Sequence, residues 1–140
     1  MFPYIARFLR GGGEESPQVL AVFLTSSLFA SHRNHARVGN LGVSLRRAVQ
    51  GKHGEEGVAS RLTAALDADP EDLPRHLAGL VSLCESAGVP INWTSFYWDA
   101  YRLLGQDEDR RNITRLDWAR GFWGQPQEKA AESTQPENQP

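Results

Sequence analysis

The amino-acid sequence predicts an all-α fold: a compact helical bundle of six or more helices, built as one domain or as two small helical lobes sharing a core. Three observations predict it. Apolar residues recur at helical spacing along most of the chain, helix-starting and helix-stopping residues bracket those runs, and no segment shows the alternation of a half-buried strand. With 140 residues, 40% of them apolar, and four Trp, three Tyr and six Phe, the chain has material for a core of ordinary size. Residues 1–124 are expected to form this helical domain. From Gln125 onward the sequence QPQEKAAESTQPENQP holds no large apolar residue, so 125–140 is expected to be a disordered polar tail.

Residues 1–10 are amphiphilic, and Gly11, Gly12 and Gly13 end any helix there. Ser16 as N-cap, Pro17 at the first helical position, and Glu14 and Glu15 near the positive dipole end then predict a helix start. Val19, Leu20, Val22, Phe23, Leu24, Leu28 and Phe29 cover so much of the circumference that this helix is expected to be central and the most buried element. Asn40 is expected to cap a second helix, with Leu41, Leu45, Ala48 and Val49 inward, Arg46 and Arg47 outward, and Gly51 as the stop. A third helix is expected over about 58–66, with Val58, Leu62, Ala65 and Leu66 inward and Arg61 near the rim. Asp69-Pro70-Glu71-Asp72 reads as the strongest helix start in the chain, and Leu73, Leu77, Leu80, Val81 and Cys84 keep helical spacing as far as Gly88. Val89-Pro90-Ile91 predicts a short extended connector, after which Asn92 caps a helix carrying Trp93, Phe96, Ala100 and Leu103 or Leu104 inward, up to Gly105. The last helix is expected over about 109–123, with Ile113, Leu116, Ala119, Phe122 and Trp123 as its apolar set.

Charge is segregated along this series. Residues 31–54 hold Arg33, Arg37, Arg46, Arg47 and Lys52, interleaved with His32, His35 and His53, and no acid, although the chain has 15 basic and 17 acidic residues. Residues 55–109 hold eleven carboxylates against Arg61, Arg75 and Arg102; Arg110, Arg111, Arg115 and Arg120 then follow against Asp117 alone. Two basic zones around an acidic middle point to a face that meets a polyanion, with plain solvated helix surfaces as the competing reading. A helical adaptor whose basic face binds an acidic partner protein fits the same charges. Steep weakening by salt, whichever DNA sequence is offered, separates the first reading from the adaptor.

Nothing in the sequence supports an active site. No phosphate-cradling, nucleophile-elbow or zinc-protease motif occurs, and Asp99 and Asp117 each stand alone, Asp99 reading as a surface or pairing carboxylate. His32 and His35 lack further ligands nearby, and Cys84, the one cysteine, lies on an apolar line and reads as core, so neither metal nor cofactor is expected. One cysteine allows no internal disulfide, no apolar run reaches spanning length, and the N-terminus lacks the pattern of a secretory leader; a cytoplasmic protein without a membrane partner is expected. Of the aromatic residues at 93–101, Trp93 and Phe96 fit the inward stripe, whereas Trp98 and Tyr101 fall elsewhere, either exposed or at a subunit contact.

The segments FLTSSLFASHRNH, NLGVSLRRAV, SRLTAALDADPEDLPRHLAGLVSLCESAGVPINWTSFYWDAYRLL and ITRLDWARGFW, in that order, resemble the CasB-type small subunit of the type I-E CRISPR surveillance complex, Cascade. The resemblance covers about 2–123, and its most specific parts are G-x-x-L-R-R at 42–47, H-L-x-x-L-V-x-L at 76–83 and W-A-R-x-F-[WY] at 118–123, none of them catalytic. It implies an all-helical, non-enzymatic subunit, present as two copies side by side between the backbone subunits that hold guide RNA and the large subunit. It further implies a basic surface that holds target DNA, chiefly the displaced single strand. By motif, Arg46 and Arg47 match the family's basic pair, Arg61 matches the Arg of the third helix, and Arg115 and Arg120 match the basic positions of the last segment. Charge and resemblance together give Arg33, Arg37, Arg46, Arg47, Lys52, Arg61, Arg110, Arg111, Arg115 and Arg120 as candidate nucleic-acid-binding residues. Three departures stand out. Ala78 occupies a position expected to be Arg, and the chain begins close to Pro3-Tyr4 without an additional basic segment. Gly121 replaces an expected Asp, which is expected to remove a partner of Arg120 and loosen the last helix.

Overall fold

The structure, a computed structural model, describes residues 16–51 and 54–124; the expectations for residues 1–15, for Lys52 and His53, and for the tail at 125–140 lie outside the described residues. Six helices occur among the described residues: α1 (Pro17–Ser31), α2 (Leu41–Gly51), α3 (Glu55–Asp67), α4 (Leu73–Ser86), α5 (Trp93–Leu104) and α6 (Glu108–Trp123). The fold is all-α. α1 lies mainly on α5, α2 on α6 and α3 on α4, while α5–α6 and α2–α4 contacts join these pairs around one connected core. The expected connector at 89–91 is extended, and forms a parallel bridge in which Ala36 N–H donates to Ile91 O (2.9 Å) and Ile91 N–H to Asn34 O (3.0 Å).

The helix starts follow from capping chemistry. Ser16 Oγ accepts from Gln18 N–H, Asn40 Oδ1 from Val43 N–H and Asn92 Oδ1 from Ser95 N–H, each at 3.1 Å, and each satisfies an amide that has no partner inside its helix. α6 begins at Glu108 because Asp107 supplies the cap, accepting from Arg110 N–H at 3.2 Å. The start expected at Asp69-Pro70 is instead a turn. Asp72 and Leu73 both donate their N–H to Asp69 O at 3.0 Å, and α4 begins at Leu73 with Pro74 buried in its first turn, where a missing N–H leaves nothing unpaired.

Two burial expectations are overturned. α1 is not the most buried helix: it buries Ala21, Leu24 and Leu28, whereas Val22, Phe23 and Phe29 are 46%, 37% and 38% exposed, and among the described helices it packs chiefly against α5, with a smaller contact to α4. α4 and α5 bury six residues each. In α6 the inward line is Thr114, Trp118 and Phe122, and the expected Ile113, Leu116 and Trp123 are exposed. The rotation that buries Trp118 also gives its indole N–H an acceptor, Asp99 Oδ2 at 2.8 Å.

The α2–α6 crossing depends on two glycines. A Cβ on Gly42 would overlap the Trp118 carbonyl oxygen, and a Cβ on Gly121 would lie 2.5 Å from Asn40 Oδ1 and 3.0 Å from Val43 N. Asn40 works on both helices, since its Oδ1 caps α2 while its Nδ2 donates to Asp117 O at 3.0 Å. Gly121 therefore permits close packing of the last helix, which corrects the expectation that it loosens it.

Candidate nucleic-acid interface

The G-x-x-L-R-R motif of α2 packs on the W-A-R-x-F-W motif of α6, and this contact sorts the candidate arginines. Gly42 admits the backbone of Trp118, Leu45 is fully buried, and Arg46 crosses to the end of α6. Arg46 Nε donates to Phe122 O at 2.7 Å, its guanidinium carbon lies 4.3 Å from the centre of the Phe122 ring, and Nη1 is 3.3 Å from Glu55 Oε1. With its side chain 27% exposed, Arg46 is an internal clasp; the expectation that it faces outward does not hold. Arg47, one residue on, is exposed.

The second basic zone is partly neutralised from within its own helix. Arg111 and Arg115 both reach Glu108, at 3.1 and 3.0 Å, with side chains only 15% and 24% exposed. Arg110 pairs with Asp107 at 3.5 Å, but both partners are more than half exposed, so that pair is open to exchange. Arg120 is exposed near the end of α6, about 15 Å along the helix axis from Arg110. Arg33, Arg37, Arg47 and Arg61 are exposed and make no ion pair with any described residue. Arg33 and Arg37 lie on the 32–40 segment, which the Ile91 bridge fixes in its middle and the Asn40 clip fixes at its end. The fold thus joins the first basic zone to the C-terminal end of the second through Arg46 and Phe122, and leaves Arg111 and Arg115 tied down one helix end away. Lys52 lies outside the described residues.

The titratable groups away from this surface have structural roles. Asp99 is buried on α5 and accepts from Trp118 Nε1 (2.8 Å), Ser95 Oγ (3.2 Å) and Arg102 Nη1 (3.3 Å). Loss of hydration holds its carboxyl above the ordinary carboxylate range, an effect that the Trp118 and Ser95 hydrogen bonds and the Arg102 charge only partly offset. Burial pushes the Cys84 thiol up to about 12, as suits a core residue. The His32 ring is buried with Nε2 2.7 Å from Val89 O, and His35 Nδ1 accepts from Trp93 N–H at 3.2 Å, so the two rings tie the 32–40 segment to the connector and to the first residue of α5. No group of three or more metal-ligating side chains occurs among the described residues, and none of the described helices is long and apolar enough to cross a membrane.

Reasoning from sequence missed the Arg46 clasp, the Asn40 clip and the Asp99–Trp118 link. It also drew the acidic and basic zones apart at residue 109, where helical i, i+3 spacing already pairs Asp107 with Arg110 and Glu108 with Arg111.

Both motifs that clasp each other lie within residues 1–123, which the model of the family CRISPR-associated protein Cse2 matches. The chain belongs to the Cse2 family. Membership makes it a subunit of a CRISPR complex. Among solved structures, it resembles a Cse2-family CRISPR-associated protein from Thermus thermophilus with a TM-score of 0.66 and 26% identity, over 88% of this chain and 73% of the other. A structure of CasB from Thermus thermophilus aligns with a TM-score of 0.65 and 24% identity over 88% and 73% of the two chains, and CasB of M. ruber with 0.66 and 23% over 96% and 79%. No curated protein matches the chain in sequence.

Proposed function

We propose that the chain is a non-catalytic small subunit of a type I-E Cascade complex that holds the displaced strand of target DNA by its phosphate backbone. Four exposed arginines without a carboxylate partner among the described residues, Arg33, Arg37, Arg47 and Arg61, carry this reading in a Cse2-family chain. A displaced strand is a polyanion of arbitrary sequence, so its binder must neutralise phosphates and leave base identity unread. Arginine suits the task, because its planar guanidinium forks onto phosphate oxygens and keeps its charge at any cellular pH; arginines outnumber lysines thirteen to two here.

Arg120 and the loosely paired Arg110 extend this interface. Arg46, Arg111 and Arg115 support it from below, since each already holds a carboxylate and is largely covered. The partners are the guide-RNA-bearing backbone subunits, the large subunit and a second copy of the chain. R-loop formation exchanges one duplex for another of similar stability, so a few backbone contacts to the released strand shift the balance towards the bound state, as argued in general for RNA-guided effectors.

The test is binding of the assembled complex to target duplexes of unrelated flanking sequence over a range of salt concentrations. Affinity that falls steeply with salt and is blind to the displaced sequence supports the reading; salt-insensitive binding favours an adaptor that docks on protein.

A further inference from the structure

We infer that the cleft between α5 and α6, lined by Trp98, Tyr101, Arg102, Arg110 and Ile113, seats one unpaired nucleotide of a bound strand, with its base against Trp98 and its phosphate between Arg102 and Arg110. The inference rests on the strand-binding reading above and names a place on the subunit where that strand is read as single. Trp98 is 49% exposed and Ile113 59% exposed, so two large apolar side chains, one from each helix, present surface in the same cleft. Trp98 is nevertheless held in place. Tyr97 and Tyr101 stand nearly perpendicular to it, with ring centroids 4.9 and 6.1 Å away. A braced aromatic ring at a surface offers a stacking platform that loses little side-chain freedom on binding.

The charge of the cleft selects the occupant. Its polar lining is two guanidinium groups, a phenol and the indole N–H of Trp98, with no carboxylate among the described lining side chains. The acids that pair with those arginines lie behind or beside them: Asp99 is buried and shared with Trp118 and Ser95, and Asp107 caps α6. Arg102 keeps 40% of its side chain exposed and Arg110 63%, so each retains donors for an incoming oxygen. An exposed ring beside two cations matches a base joined to its phosphate. A duplex has no free base face to offer, so the cleft would discriminate single strand from duplex without reading sequence.

The test compares a homopolymeric pyrimidine strand with a strand of equal length and charge built from abasic sites, binding to the full chain in its co-expressed complex. Wild type is expected to hold the pyrimidine strand more tightly than the abasic one. Trp98→Ala is expected to weaken the pyrimidine strand by roughly fivefold to a hundredfold while leaving the abasic strand unchanged, the range set by one base–aromatic stack. Trp98→Phe is expected to keep most of the affinity. Equal binding of the two strands by wild type, with the usual salt dependence, overturns the nucleotide seat and leaves the strand-binding function standing. Failure of the complex to retain either strand overturns both. Loss of the Trp98→Ala chain from the complex, with strand binding by the chain unchanged, assigns the cleft to a protein partner and likewise overturns the proposal.

Discussion

Replacing Arg46 by Ala removes three interactions at once, and their sizes differ. The hydrogen bond from Nε to Phe122 O is 2.7 Å long, partly buried and made by a charged donor, so it contributes about 1.5–3 kcal/mol. The guanidinium over the Phe122 ring adds about 0.5–1 kcal/mol. The ion pair with Glu55, whose side chain is 60% exposed, adds at most about 1 kcal/mol after solvent screening. Neighbouring terms do not add fully, and the Phe122 carbonyl at the helix end regains water once the side chain is gone, so Arg46→Ala is expected to cost about 2–3 kcal/mol. Arg47→Ala, on the exposed side of the same helix, is expected to change stability by less than about 0.5 kcal/mol. Urea titration followed by circular dichroism measures both. Arg46→Lys serves as a second probe: it keeps the charge but loses the planar fork and the stack, and should recover less than half of the loss. A loss below about 0.5 kcal/mol for Arg46→Ala would refute the clasp and return Arg46 to the phosphate-binding surface.

Other outcomes follow from the same contacts. Gly121→Ala would raise stability by about 1 kcal/mol on helix propensity alone, but its Cβ would sit 2.5 Å from Asn40 Oδ1, so a net loss of about 1–3 kcal/mol is expected; a stabilised variant in denaturant titration would contradict the close crossing. Asp99→Ala strands the buried indole N–H of Trp118 and should cost about 1–3 kcal/mol, whereas Asp99→Asn keeps an acceptor there and should cost less. Because burial raises the folded-state pKa of Asp99 above its unfolded value, the native state binds that proton more tightly. Wild type should therefore gain stability relative to Asp99→Asn as pH falls from neutrality through the folded-state pKa; a gap that is constant across this window would contradict the burial.

Local chemistry made much of the fold legible. Ser16, Asn40 and Asn92 are caps because each side chain reaches an amide two or three residues on, and that geometry is written into adjacent residues. The inward lines of α2 to α5 were legible for a similar reason, as one face carries nearly all the apolar side chains. α1 was misread because it is apolar all round, so periodicity cannot say which side meets α5. α6 was misread because counting apolar residues favoured Ile113 and Leu116, whereas the decision belonged to one large ring and a carboxylate nineteen residues away. The basic surface was visible as a count of charges. Which arginines it contains was not, since Arg46 is engaged by a carbonyl 76 residues distant, a contact that only the folded chain defines.

The central claim is that exposed arginines without a carboxylate partner among the described residues, Arg47 among them, hold a strand by its phosphates while Arg46 holds the fold, and one salt titration separates the two. The complex is assembled with wild type, Arg47→Ala or Arg46→Ala, and retention of the displaced strand is measured against salt concentration. For Arg47→Ala the slope of log affinity against log salt should become shallower by about 0.7, one phosphate contact of a single strand, with stability unchanged. For Arg46→Ala the slope should match wild type once the variant is compared under conditions in which it is folded. Wild-type slope for Arg47→Ala together with a shallower one for Arg46→Ala would contradict the account.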